Sequence, residues 1–505
     1  MSIEERTSMD ESLNKEDEPV SLLARIAGDR GLLTRICITI GFIVAYRLLL
    51  CIPIPGIDMH GLKEFFSSLT RTSCQTTESL YSLSLMRRFS ILAVGIMPYL
   101  SSCILIQILG TFVPFLKKYY GAGTDKGRQG IVKSTYFLTF VLCVIQAFFI
   151  SLWLENPGRF QGLRMVLWPG WSFRILTVLS MTAGTFLLLW LADRMTKYGI
   201  GNGVAILIFS DIVLEIPEAL SQIASPVIMS HVRLISLCIC IGTGAVIWKL
   251  TRAAQKIPIV QENSAATHFL PLRFTFSGRE SIDFAQAIIL LPAVMISFFP
   301  GGFRGGYLPK EGVVYWAVLS LLLFFFTFLY AAIVYNPLQI VRLLKKYNFH
   351  IEDKDSEAGM VKYLQAVITR NALIATTLLA AVTVLPALYS IYLRLSYLVT
   401  AFVGGAYLLV LIGVFSDLQS QVEAYFTRKD ARADDHWQVV HIALDEIEAE
   451  IKRGVLVSKG IACVIEPLRF TWGMPIRTAV DQYRLYVQGN QKEEAIKLLA
   501  APEFA

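Results

Sequence analysis

Long apolar stretches separated by short polar loops dominate the first 416 residues of this chain. A membrane-spanning helix needs roughly 20 mostly apolar residues. Six stretches of about that length contain no Asp, Glu, Lys or Arg, and four shorter or interrupted ones resemble them. The charge-free stretches are 89–116, 134–154, 175–192, 312–341, 371–393 and 395–416, and the others are 32–52, 203–220, 228–248 and 281–300. The pattern predicts an all-α polytopic membrane protein with ten transmembrane helices.

The distribution of Lys and Arg predicts the orientation. An even number of spans places both termini on one side of the membrane. The loops after the second, fourth, sixth and eighth spans (115–133, 193–200, 249–280 and 341–370) carry more Lys and Arg than the opposite loops. Since cytoplasmic loops are enriched in these residues, we expect both termini in the cytoplasm.

The composition supports a membrane protein. Only 17% of residues are charged and 54% are hydrophobic, against roughly 25% charged in soluble domains. The net charge of +7 fits basic cytoplasmic loops better than a nucleic-acid surface. The eight cysteines show no zinc-ligand spacing. The acidic stretch Asp10 to Glu18 argues against a cleaved signal peptide.

After residue 417 the chain becomes charged and mixed. DDHWQVVHIALDEIEAEIKRG (434–454) reads as an amphipathic helix, with apolar residues at helical spacing. VLVSKGIACVIEP (455–467) is compatible with a short hairpin, and QKEEAIKLLA (491–500) with a final helix. These segments could form a small soluble domain or a docked extension without its own core.

RMTKYGIGNGVAILIF (194–209) poses the question of a nucleotide site. A dinucleotide loop needs G-x-G-x-x-G between a strand and a helix. Here the spacing is G-x-G-x-G and an apolar span follows. The segment GAGTDKGRQG (121–130) lacks the G-K-[ST] ending of a phosphate loop, and no intramembrane protease motif is present. We therefore expect no ATPase, no enzyme and no cofactor; the glycines let the chain turn and pack closely where the fifth span begins.

Ionisable residues within spans are candidates for function by default. Asp211, expected near the membrane face in the fifth span, and Asp283, early in the seventh, are the two that stand out.

Several segments, read together, resemble the SecY family, the central subunit of the protein-conducting channel. CIPIPGID (51–58) is similar to the end of that family's first span and AVGIMPYLSSCILIQIL (93–109) to its second. KKYYGAGTDKGRQGIVKSTY (117–136) is similar to its first large cytoplasmic loop, and YGIGNG (198–203) to the start of its fifth span. THFLPLRF (267–274) and IVYNPLQIVRLLKK (333–346) match the approach to the seventh span and the exit of the eighth.

The resemblance implies an hourglass channel of two inverted five-helix halves in the cytoplasmic membrane. The implied divisions are a cytoplasmic N-terminal segment (1–30), a first half (31–225), a second half (226–420) and a small cytoplasmic C-terminal extension (421–505). A lateral gate would lie between the second and seventh spans, lined by the third and eighth.

The resemblance also implies a ring of aliphatic side chains at the constriction. Its members would be Ile96 and Leu100 in the second span, Val204 and Ile208 in the fifth, and Val410 in the tenth. Each pair is spaced i, i+4 and so shares one helix face. From spacing alone, ordinary lipid-facing or core packing would be the favoured explanation of these residues, and the resemblance reverses that preference.

The seventh-span ring position aligns with Asp283, where the family usually has an aliphatic residue. Three explanations stay open. The alignment is one residue off, giving Ile282 or Phe284; Asp283 faces the aqueous funnel; or it pairs with Arg87 or Arg88 and latches the plug.

The plug, a short segment that closes the outer funnel, would span about 79–89. The family often has a glycine pair where this chain has Leu83 and Ser84, which predicts a more helical and less mobile plug.

The resemblance implies SecE-like and SecG-like small membrane subunits, unfolded preproteins, and the SecA motor or the ribosome as partners. The motor or ribosome would dock on basic cytoplasmic loops. Here the sixth-to-seventh loop, which contains Lys256, is weakly basic, and the eighth-to-ninth loop has Asp355 where the family has a functional Arg. Either docking is altered, as in an accessory translocon with specialised clients, or Lys345, Lys346 and Lys354 supply enough charge.

We therefore expect a channel that moves unfolded polypeptides across the membrane and releases apolar segments into lipid. A secondary transporter for a small solute also tolerates ten spans but should show a polar midplane. A membrane scaffold whose soluble tail is the active part is the third alternative.

Overall fold

The computed structural model describes residue 26 and the ranges 28–72, 89–112, 125–157, 162–224, 230–261, 267–273, 313–334, 337–351, 356–393, 406–433, 437–443, 446–469 and 481–500. Most of this part is helical, and its six strands form two small sheets. The helices are α1 (Arg30–Leu50), α2 (Met59–Thr72), α3 (Met97–Phe112), α4 (Asp125–Leu154), α5 (Trp171–Tyr198), α6 (Gly203–Ala224), α7 (Ser230–Arg252), α8 (Val313–Val334), α9 (Pro337–Lys346), α10 (Glu357–Tyr392), α11 (Ala406–Ala433), α12 (Glu446–Ser458) and α13 (Lys492–Ala500). The strands are β1 (Ala254–Gln261), β2 (Thr267–Arg273), β3 (Phe349–Ile351), β4 (Trp437–Ala443), β5 (Cys463–Arg469) and β6 (Asp481–Gln488).

The long helices pack in two groups. In the first, α5 contacts α1, α4 and α6, and α3 contacts α4; in the second, α10 contacts α7 and α8, and α7 contacts α11. The groups meet where α6 packs against α11, through Ile212, Ala219, Val410 and Val414. Helix α1 begins at a side-chain cap: Asp29 Oδ1 accepts hydrogen bonds from the backbone N–H groups of Gly31 and Leu32 at 2.9 and 3.3 Å, which satisfies donors that the first turn leaves unpaired.

Five helical segments in the described part are long and apolar enough to cross a membrane. They are Arg30–Leu50, Val132–Leu154, Trp171–Tyr198, His231–Leu250 and Glu357–Leu385, and each overlaps a span predicted from hydropathy. Helices α3, α6, α8 and α11 coincide with four further predicted spans. The predicted seventh span (281–300) lies outside the described residues.

The predicted eighth span (312–341) is wrong at its end. Helix α8 stops at Val334 and a separate helix, α9, begins at Pro337. A residue that precedes proline is disfavoured in the α conformation, whereas proline itself suits the first helical turn. Helix α9 is amphipathic and buries Ile340, Val341 and Leu344 against another part of the protein.

The connections on either side of α8 form a three-stranded sheet, β2-β1-β3, here called the loop sheet. Strands β1 and β2 are an antiparallel hairpin, and β3 joins the other edge of β1 with Ile259 opposite Ile351. Ile257, Ile259, Leu270 and Leu272 are buried in one cluster with α9 and the start of α10. The hydropathy pattern treated both connections as loops, so this sheet was not predicted.

The described residues 437–443, 446–469 and 481–500 form a compact unit, here called the tail unit. Its sheet has the order β4-β6-β5, with β6 antiparallel to both neighbours. Helices α12 and α13 contact this sheet and each other, and Ala449, Leu456, Leu485, Val487 and Ala495 are buried in a shared core. The tail unit has its own core, as expected of a small domain.

Two local predictions for the tail unit are wrong and one is confirmed. The single amphipathic helix over 434–454 is wrong in its first half, where Trp437–Ala443 is a strand; aromatic and β-branched residues favour the pairing with β6, which lies far along the sequence. The hairpin over 455–467 is wrong because Val455–Ser458 ends α12, and β5 pairs with β6 instead. The final helix is confirmed as α13.

Helix α12 is buried on two faces. Ala449 and Leu456 face the core of the tail unit, whereas Ile451 and Val455 belong to the cluster of the loop sheet. Accordingly α12 contacts β2 and α9 as well as β4, β5 and β6. The tail unit is therefore a small domain with its own core that is also docked, and the alternative of a docked extension without a core is wrong in the second respect.

We predict that Ile451→Ala loosens this docking without unfolding the tail unit. Ile451 is fully buried, and truncation of a buried isoleucine to alanine costs about 2–5 kcal/mol. Hydrogen–deuterium exchange should rise in β1 and β2 while β5 and β6 stay protected. Val457→Ala is the matched control, since Val457 is 43% exposed on the same helix; unchanged exchange of the hairpin in Ile451→Ala would contradict the docking.

Candidate functional site

The YGIGNG segment joins α5 to α6 in a tight connection. Gly199 follows the last residue of α5, and Gly201 has a φ of +80°, a conformation that residues with a Cβ rarely adopt. A Cβ on Gly203 would lie 2.0 Å from the carbonyl oxygen of Ala192. The glycines therefore serve the turn and the close approach of two helices, as the sequence predicted.

Side chains from four places in the chain satisfy the backbone N–H groups of this connection. The Thr39 hydroxyl accepts from the N–H of Ile200 at 2.9 Å, and Gln421 Oε1 accepts from Gly201 at 2.7 Å. The Thr196 hydroxyl accepts from Gly203 at 2.8 Å and Asn202 Oδ1 from Val204 at 3.0 Å. Helices α1, α5 and α11 thus fix the start of α6. Sequence analysis missed Thr39, Thr196 and Gln421, because single polar residues in long helices carry no local signal.

Four of the predicted ring residues lie in one apolar cluster, here called the central cluster. Ile96 and Val204 are buried in it, and Leu100 and Ile208 are partly buried against it. Tyr46, Leu50, Tyr99 and Cys103 are also members, together with Leu188, Leu189, Leu191, Ala192 and Met195 of α5. Val318 and Leu322 of α8 complete it from the second group of helices. The predicted second and fifth spans therefore contact each other through apolar side chains, in a cluster that both groups of helices share.

Val410 is 6% exposed and lies in the adjacent cluster, with Ile212 and Val414. Ile208 packs against both clusters and so connects the α6 pair with Val410. The remaining ring candidate, Asp283, and the plug candidates Leu83, Ser84, Arg87 and Arg88 lie outside the described residues.

A polar group borders the central cluster at Asp211. The Tyr46 hydroxyl donates to the Asp211 carboxylate, with oxygen–oxygen distances of 3.0 and 3.1 Å. Arg47 Nη2 lies 3.1 Å from Asp211 Oδ1 and 3.3 Å from the Ser210 hydroxyl. Asp211 is eight residues from the start of α6, about 12 Å along the helix axis. Its partners on α1 were not predicted.

The predicted partner-binding lysines lie on exposed positions around the loop sheet. Lys256 is on β1, and Lys345 and Lys346 end α9. Lys345 Nζ is 3.1 Å from Glu357 Oε2, a half-exposed ion pair of little energetic weight. Burial, with the nearby Glu448 carboxylate of α12, raises the pKa of Tyr347 beside them. Lys354 and Asp355 lie outside the described residues.

The described residues offer little chemistry beyond packing and charge. Within them, no group of three His, Cys, Asp or Glu side chains is placed to hold a metal ion. Burial raises the pKa of the Cys463 thiol in the tail unit to about 12, so it is protonated and unreactive at neutral pH.

A bundle of long apolar helices around a buried aliphatic cluster defines a multi-span membrane protein, and comparison with known proteins narrows the class. The SecY family model matches residues 90–419. The chain is 30% identical over 406 residues to a protein translocase subunit SecY of Aquifex aeolicus, covering 77% of this chain and 94% of that one. It is also 30% identical over 408 residues to the Escherichia coli K12 protein of the same name, covering 77% and 90%.

Solved channel structures share the fold. A structure described by the role of the SecY plug domain in stabilising the closed state of the translocation channel superposes with a TM-score of 0.54 at 13% identity, over 78% of this chain and 92% of that one. Another, described as a protein-conducting channel, gives a TM-score of 0.53 at 13% identity over the same shares.

The chain belongs to the SecY family. It is a protein-conducting channel subunit of the translocon and not an enzyme, which decides against the small-solute transporter and the scaffold. The family match ends at residue 419, so the tail unit lies beyond it.

We predict that Gly203→Ala destabilises the protein by about 1–3 kcal/mol, since the added methyl group overpacks a site closed by backbone. The thermal unfolding midpoint in detergent should fall. Gly242→Ala is the matched control, because a Cβ there meets nothing within 4 Å and alanine is the better helix former by up to about 1 kcal/mol. Equal midpoints for the two variants would contradict the close packing of α6 on α5.

Proposed function

We propose that the central cluster contains the constriction of the channel, with Ile96, Leu100, Val204, Ile208 and Val410 as ring members. The observation that carries this proposal is the convergence of the first four in one apolar cluster, although they come from segments about 100 residues apart. Ile208 extends the contact to Val410 through the neighbouring cluster.

A narrow aliphatic collar suits a protein channel. It excludes water and so blocks ions at rest. Branched aliphatic side chains can separate around an extended polypeptide and close again, because their contacts are non-directional. The five proposed ring members are all aliphatic, so the collar itself would offer no charged or hydrogen-bonding side chain to a substrate.

The surrounding architecture would be that of the family: ten spans in two inverted halves, 31–225 and 226–420, with both termini, the loop sheet and the tail unit on the cytoplasmic side. A lateral gate between the second and seventh spans would release apolar segments into the inner membrane. Residues 79–89, with Leu83, Ser84, Arg87 and Arg88, would form the plug. Asp283 would face the aqueous funnel or pair with one of those arginines.

We propose SecE-like and SecG-like membrane subunits and unfolded preproteins as partners, with SecA or the ribosome docking beside Lys256, Lys345, Lys346 and Lys354. Asp355 and the docked tail unit would alter that surface. This alteration supports an accessory translocon with specialised clients.

The ring assignment is tested by site-specific photocrosslinking. We predict that a photoreactive amino acid at Ile208 or Val410 forms an adduct with a secretory polypeptide arrested during translocation, because the arrested chain must pass the collar. The adduct is measured as a shifted band after irradiation of membranes that contain the channel with its partner subunits.

The matched control is the same probe at Leu179, which is 64% exposed on the outside of α5. It should give no adduct with the arrested chain. Adducts at Leu179 in the absence of adducts at Ile208 and Val410 would place the polypeptide elsewhere and overturn the ring assignment.

The docking proposal makes a separate prediction. Lys256→Glu with Lys346→Glu should weaken binding of purified ribosomes or SecA to channel-containing vesicles, by roughly two- to fivefold per reversed charge, and less at high salt. Lys497→Glu, on the exposed side of α13, is the charge-matched control. Equal binding by both variants at low salt would exclude this surface as the docking site.

A further inference from the structure

Tyr46, Arg47 and Asp211, here called the polar latch, connect α1 to α6 inside the helix bundle. The Asp211 side chain is 13% exposed and that of Arg47 is 27% exposed. Tyr46 is 3% exposed, and the Arg47 guanidinium lies 5.1 Å from the centroid of its ring. A carboxylate and a guanidinium within apolar surroundings are costly unless they are paired. The pairing therefore favours one position of α6 relative to α1.

The latch is continuous with the central cluster. Asp211 lies three residues beyond Ile208 and seven beyond Val204, so all three share one face of α6. The Tyr46 ring packs within the central cluster while its hydroxyl donates to Asp211. A movement that draws α6 away from α1 must separate the ion pair and uncover the Tyr46 ring in the same step.

We propose that the polar latch is a positioning device that holds Val204 and Ile208 in the closed constriction. This inference rests on the proposed ring. Loss of the latch lowers the free energy needed to displace α6, so the open form becomes more populated. Opening by a translocating chain then breaks the latch reversibly, and closure re-forms it.

The test is the ion conductance of the resting channel, reconstituted in lipid vesicles with the membrane subunits that copurify. Asp211→Asn and Arg47→Gln each remove one charge of the ion pair, and each should raise the leak roughly tenfold, the factor that corresponds to 1.4 kcal/mol. Tyr46→Phe, which keeps the ring in the central cluster and removes only the hydroxyl, should raise the leak by a smaller factor. Wild-type leak in all three variants would overturn the latch.

A second ion pair provides a matched control. Arg174 Nη2 and Glu155 Oε2 join α5 to the residue that follows α4 at 2.7 Å, with side chains 26% and 10% exposed, away from the central cluster. Glu155→Gln should lower the thermal unfolding midpoint and leave the resting leak unchanged. If the leak of Glu155→Gln equals that of Asp211→Asn, loss of stability alone explains the leak, and the proposed positioning role of the latch is overturned.

The double variant separates positioning from independent effects. The double variant Arg47→Gln with Asp211→Asn retains neither charge. Its increase in the logarithm of the leak, relative to wild type, should therefore be well below the sum of the increases in the two single variants. Additive changes would overturn the latch. The Ile208 photocrosslink on the same wild-type vesicles tests the ring independently, so a positive crosslink with wild-type leak in the variants rejects the latch alone.

Discussion

The absence of water in the bilayer core is the constraint on which this structure depends. Every backbone polar group at that depth must find its partner within the protein, and a buried turn that joins two helices likewise needs partners for its own backbone groups. The connection between α5 and α6 meets this requirement with two threonines, an asparagine and a glutamine, while its glycines allow close helix contact. Because these side chains belong to α1, α5, the connection itself and α11, the start of α6 is positioned by both groups of helices.

The fixed start of α6 also determines which of its side chains enter the central cluster. From its fixed start, α6 directs Val204 and Ile208 into the central cluster and Asp211 toward α1. Apolar contacts adapt to small shifts, whereas the ion pair has one favourable geometry. In the proposed channel, this combination would give a collar that deforms around a passing chain and a helix arrangement that returns to one position. In this chain the Asp211 carboxylate thus adds an electrostatic contribution to the packing of α6.

The spans were predictable because a bilayer imposes a length and a composition that local sequence reports. The proposed ring residues come from family motifs, since spacing alone does not distinguish a collar from ordinary packing. The partners of Asp211 could not be predicted from the sequence, because Tyr46 and Arg47 are separated from it by more than 160 residues. The loop sheet and β4 were missed for a related reason: β3 joins β1, and β4 joins β6, only after distant segments have met. The local sequence pattern shows which residues of a segment need burial, but it does not show which other segment buries them.

Helix α12 is buried between two cores, and this has a consequence for how the protein is made. Because β2 and α9 precede α12 in the chain, the apolar edge beside them has no cover during synthesis until α12 leaves the ribosome. A chain that stops before residue 446 would therefore leave this surface uncovered, although the helices that precede it are already made. The uncovered surface would then distinguish such a truncated chain from one in which α12 has docked.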